Sequence, residues 1–274
     1  MQGTIALTLG LALHANAFLQ DRDIGAFWPE ASFFAFCRSV RFLAVDRDGA
    51  ETEIAADPAA WLRRPGSRCR GVRVKLDWGD DDMTSVAFAG HGSGGAMAKV
   101  GGDGPLGWQP RWSVSRDEAD ADRPWSVAYR GVPTGAWASA PRAELDRAGQ
   151  DLESALRAIA GFAERIGSHH KESFGRALGC LSGDGPGPPS YYLDLAPPGF
   201  LSPEARRLLA ASQAAWVFGG MGSWNDEDYG VEGNGLTETL FGRLQAALAA
   251  VVDSTLPQAP AGVTRPSPTS PSDR

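Results

Sequence analysis

Val72-Arg73-Val74-Lys75-Leu76-Asp77-Trp78 alternates without a break between apolar and charged side chains. Successive residues of a strand point to opposite faces, so this stretch predicts a β-strand with one buried and one solvated face. Gly79-Asp80-Asp81-Asp82 supplies a turn and Thr84–Ala89 returns, so 70–90 reads as a hairpin. Working outward, Phe33–Val45 is an aromatic and β-branched run, closed by Asp46-Arg47-Asp48-Gly49 before Glu53-Ile54. Arg111–Ser115 and Pro124–Arg130 read as two further short strands, with Asp117–Asp122 an acidic turn between them. Pro58–Arg63 suits a short helix.

Past Pro141 the period changes. Leu145, Leu152, Ile159 and Ile166 recur every seven residues, and Ala148, Leu156 and Phe162 fill the same stripe. That is an amphipathic helix ending at Gly167, and its apolar face needs a sheet or other helices to cover it. A short helix around Lys171–Leu181 follows, then the Gly/Pro loop Ser182–Ser190. Ser202-Pro203-Glu204 opens another helix, with Ser202 as N-cap, running to about Val217. The last helix spans about Leu236–Ser254. Leu256–Arg274 holds five prolines in 19 residues and no apolar periodicity, the composition of a disordered tail. The expected fold class is α+β. A mostly antiparallel sheet in 1–140 packs on helices in 141–255, as one continuous globular unit, with the tail at 256–274.

The N-terminus admits two readings. Ile5–Ala17, with Ala15-Asn16-Ala17 behind it, resembles a secretory apolar region with a cleavage site. No Lys or Arg precedes it, however, and Ile5, Leu7, Leu9, Leu11 and Leu13 alternate strictly with Ala6, Thr8, Gly10 and Ala12. The alternation favours a half-buried strand, with the signal peptide as runner-up.

Composition excludes several classes. The formal net charge of −7 argues against a general nucleic-acid binder, which needs a basic face. No run reaches the roughly 18–20 apolar residues of a membrane helix. Cys37, Cys69 and Cys180 show neither zinc spacing nor an even count, which favours a reducing cytoplasm. Among the bases only Lys75, Lys99 and Lys171 are lysine, the usage expected of a GC-rich, bacterial genome. With 34 Gly and 19 Pro the chain carries many turns and is no plain helical bundle.

Three segments could carry function. Phe218–Gly235 joins two helices through Gly219, Gly220 and Gly222, then Trp224, Asn225, Asp226, Glu227 and Asp228. Trp224 and the four residues after it make a candidate binding surface, since glycines let a backbone approach a partner closely. As a calcium loop it fails: with Asp226 and Asp228 as first and third ligands, the fifth and sixth positions are Gly230 and Val231. Gly90-His91-Gly92-Ser93-Gly94-Gly95 is the second segment, a weak catalytic candidate through His91 and Ser93. It lacks the first glycine and the following helix of a nucleophile elbow. Third, Trp108, Trp112, Trp125 and Trp137 fall within 30 residues and suit a core, a ligand groove or a protein interface. His169-His170 after the long helix and the basic run Arg63, Arg64, Arg68, Arg70, Arg73, Lys75 read as structural and solvated, respectively.

The expected function is therefore a non-catalytic binding or assembly protein of a bacterial system. It would contact another protein through the Trp-rich sheet segment and the 218–235 loop, with no cofactor and no metal. The alternative is a hydrolase or transferase whose site unites the His91/Ser93 loop with the acids of 226–232.

Overall fold

A computed structural model describes residues 1, 3–64, 69–76, 95–100, 106–117, 121–133, 136–184, 187, 191–219 and 222–257. Its centre is the segment read as a strand. Gly3–Phe18 is an α-helix, α1, with every residue from Ile5 to Ala17 buried. It needs no amphipathic stripe because nothing around it is solvent; a helix apolar on all sides belongs inside. Gly10 is fitted to this setting, since a Cβ there would meet the Phe33 ring at 2.7 Å.

The β-rich half forms one six-stranded sheet in the order β2-β1-β6-β5-β4-β3. The strands are β1 (Cys37–Val45), β2 (Glu51–Ala55), β3 (Gly71–Lys75), β4 (Ala96–Val100), β5 (Leu106–Val114) and β6 (Trp125–Pro133). β1 runs parallel to β6, and the other four neighbouring pairs are antiparallel. Phe33 and Phe34 sit in a 3₁₀ turn before β1 and are not part of the strand. β3 pairs with β4, a strand the glycine-rich sequence does not announce; Thr84–Ala89 lies outside the described residues. Asp57 caps α2 (Pro58–Leu62), its carboxylate accepting from the Ala60 N–H.

On the inner face, Phe42 stacks between Trp61 and Tyr129 at centroid distances of 4.6 and 5.2 Å, with Trp108 edge-on. The Tyr129 hydroxyl meets Thr8 of α1 at 3.2 Å. Asn16 of α1 does for β3 what a neighbouring strand would: its side chain accepts from the Val72 N–H (2.6 Å) and donates to the Val72 carbonyl (3.0 Å). Buried backbone groups must be paired, and here an amide side chain pairs both.

The helical layer comprises α3 (Leu145–Arg165), α4 (Lys171–Ser182), α5 (Pro203–Ala214) and α6 (Gly230–Ser254). Ser202 caps α5 as its position suggests. α6 begins six residues earlier than its leucine stripe, at Gly230, and touches β3 and α1 as well as α3 and α5. Leu256 is buried, and its carbonyl and that of Pro257 accept from Arg142, so the folded unit runs past the expected tail boundary. Residues 258–274 lie outside the described residues. Among the described residues no helix is long and apolar enough to cross a membrane.

Candidate functional site

The sequence between Pro188-Pro189 and Pro197-Pro198 reads Ser190-Tyr191-Tyr192-Leu193-Asp194-Leu195-Ala196, too short and too proline-bounded for a helix. Gln213, near the end of α5, fastens it: its amide donates to the Tyr191 and Tyr192 carbonyls (3.4 and 3.2 Å), and the Tyr191 hydroxyl donates to the Gln213 carbonyl at 3.0 Å. Tyr192 is held at φ +54°, a left-handed conformation that is uncommon for a bulky residue and is retained only where surroundings over-determine it. Leu195 anchors the segment in the core.

This segment forms one wall of a cleft of about 770 Å³. The opposite wall is the chain leaving α5, Trp216–Gly219, with Gly222 and Ser223; Met1, Ser32 and Phe36 complete the lining. Tyr191 and Tyr192 stand perpendicular with centroids 5.6 Å apart, and Trp216 and Phe218 make a second perpendicular pair at 6.0 Å. Phe36 and Leu193 are 63% and 67% exposed, apolar side chains standing at an open mouth. Asp194 is half-buried, accepting from the Ser32 N–H at 2.7 Å and from the Ser32 hydroxyl. Burial lowers the Met1 amine to about 5 and raises both tyrosine phenols.

The 218–235 loop thus contributes its first residues to the cleft, while the residues singled out within it take other places. Trp224 is fully buried: its indole N–H donates to Thr237 Oγ1 at 2.7 Å and its ring stacks on Tyr229 at 4.2 Å. Phe162, Phe174 and His170 surround it edge-on. Asn225 Oδ1 accepts from the Gly219 N–H and the Ser223 hydroxyl, pinning the loop behind the cleft wall. Asp226 and Ser223 form a capping box, and Asp228 accepts from the Gly230 N–H and the Asn234 amide at the start of α6. These two hydrogen bonds hold the exposed Asp228 carboxyl below its ordinary range. The Tyr229 phenol is pushed up to about 12, first by burial and then by the Glu227 charge. Among the described residues no three His, Cys, Asp or Glu side chains come together as a metal site.

His91 and Ser93 lie outside the described residues. The Trp-rich sheet segment divides: Trp108 is in the core, and Trp112 and Trp125 pair edge-to-face at 5.8 Å, each half-buried. Arg73 is buried in a salt bridge, not part of a solvated basic face. Sequence reasoning missed Phe36, Tyr191, Tyr192, Leu193 and Asp194. The available signal was an adjacent tyrosine pair in an aperiodic, proline-bounded segment with no strand or helix to absorb it.

Compared with protein-family models, with curated proteins and with solved structures, the chain matches none.

Proposed function

We propose that this is a non-catalytic binding or assembly protein whose contact surface is the aromatic cleft between Tyr191–Asp194 and Trp216–Ser223. The observation that carries this is the exposure of Phe36 (63%), Leu193 (67%) and Tyr191 (40%) around one concavity of about 770 Å³. Isolated exposed apolar residues are ordinary, but several gathered on a cavity with a few fixed polar groups mark a binding site. The partner in this reading is another protein, since exposed apolar side chains gathered around a surface concavity suit a protein contact. The unpaired cysteines and arginine-rich composition fit a bacterial cytoplasm as its setting.

A photo-crosslinking amino acid at position 193, in the full chain expressed in its host, tests the reading. The same group at Ile166, which is 46% exposed at the end of α3, serves as control. Discrete heavier adducts from position 193 and none from 166 are expected. Equal labelling from both positions, or none from 193, removes the cleft as the contact surface.

A further inference from the structure

We infer that the occupant of the cleft is a peptide segment of the partner that presents a basic side chain, Arg or Lys, between apolar neighbours, with Asp194 as the counter-charge. This rests on the reading of the cleft as the contact surface and adds what the surface selects.

Charge is the first argument. Asp194 places a carboxylate in the wall, and Ser32 occupies only two of its roughly four acceptor positions. Among the described lining residues there is no Lys or Arg. An anionic ligand would meet the Asp194 carboxylate with no cationic side chain beside it in the lining; a cationic one would meet its complement.

The walls give the second argument. The rings of the exposed Tyr191 and the half-buried Tyr192 carry negative potential on their faces, and guanidinium or ammonium groups bind such faces while their methylene stems pack on apolar surface. The mouth gives the third. Phe36 and Leu193 stand into solvent on an open cleft, which suits apolar residues flanking the basic one on a continuous chain.

Isothermal titration of the full-length protein with three defined heptapeptides tests this. Each has a central residue between two leucines in a Gly/Ser frame, and that residue is arginine, citrulline or glutamate. Citrulline keeps the shape and hydrogen-bonding of arginine without its charge. The arginine peptide should bind about tenfold or more tighter than the citrulline peptide, and the glutamate peptide weakest. Asp194→Asn should bring arginine binding down to the citrulline level while citrulline binding stays unchanged. Should that variant fail to fold, a salt series on the unaltered protein decides, because the arginine preference must shrink as NaCl rises. Equal binding of the arginine and citrulline peptides overturns the charge inference and leaves the cleft as a contact surface. Failure of all three peptides to bind overturns both. Free arginine amide binding as tightly as the arginine peptide overturns the peptide assignment in favour of a small cationic ligand.

Discussion

His14 is an imidazole packed where a charge has no solvent. It is 1% exposed, lies between the rings of Phe27 and Phe33 at 5.0 and 5.3 Å, and approaches the Gly10 carbonyl with Nδ1 at 2.8 Å. Burial lowers its pKa from 6.5 to about 4, against the smaller opposing pull of the Gly10 carbonyl and the Asp194 charge. The native pKa is below the unfolded one, so the unfolded chain binds a proton that the native protein refuses. Stability therefore falls as pH drops from 6.5 towards 4, by about 3 kcal/mol across that window. His14→Phe keeps a stacking ring and cannot titrate, so denaturant midpoints measured from pH 7 to pH 4 should fall less steeply than those of the unaltered protein. Identical slopes would show that His14 accepts its proton without unfolding. At Trp224 the expectation is simpler: Trp224→Ala empties a closed aromatic site and should cost about 3–5 kcal/mol in urea unfolding. A small loss there would contradict its burial. Neither residue's place was legible locally. A Trp beside glycines and acids satisfies the demands of a core anchor and of a recognition loop equally, because both need apolar area and a partner for the indole N–H.

At the scale of elements, legibility followed solvent. α3 has one face in water and one on its neighbours, so its stripe prints the 3.6-residue period directly into the sequence. α1 has no wet face: a Cβ at Gly10 would meet the Phe33 ring and Thr8 meets Tyr129, so the smaller residues of this run are buried and do not face water. Large and small residues then alternate and imitate a strand; a short apolar run cannot be resolved by period alone. The two readings separate by experiment. On a half-buried strand Thr8→Asp would be mild and Leu9→Asp severe. In the helix both positions are 0% exposed, so both changes place an unpaired carboxylate in the core and should cost several kcal/mol each. Melting temperatures of the two variants check this, and tolerance of Thr8→Asp would bring back the strand. The candidate site escaped for a related reason. Tyr191–Asp194 is an irregular loop whose neighbours, Gln213, Ser32 and Phe36, are far away in sequence, and periodicity says nothing about such meetings.

For the molecule as a whole the question is what makes the sheet and the helices one body. Alternation in β3 correctly marked a strand but assigned Arg73 to a solvated face; the end of α6 and the connection 137–143 cover that face. Arg73 is the joint between them. Its Nε and Nη2 donate to the two Asp253 oxygens at 2.8 and 2.6 Å, and Nη1 donates to the Ala140 carbonyl at 2.6 Å. Asp253 Oδ2 also accepts from the Ala143 N–H at 2.9 Å, so strand, connection and helix meet at one pair whose side chains are 10% and 3% exposed. Desolvating two charges offsets much of their attraction, so the pair's net worth is modest while the cost of breaking it is not. Asp253→Ala strands a guanidinium among carbonyls and should lose about 3–5 kcal/mol, and Arg73→Met strands a carboxylate with a similar loss. If the two act as one unit, the Arg73→Met/Asp253→Leu double variant should be destabilised by about 2 kcal/mol less than the sum of its single changes. Urea unfolding of the cycle, followed by both Trp fluorescence and far-UV circular dichroism, measures the coupling and reports whether sheet and helices still unfold together. Additive losses would mean that the joint is held by the apolar contacts of α1 with β3 and α6, and that the ion pair is incidental to it.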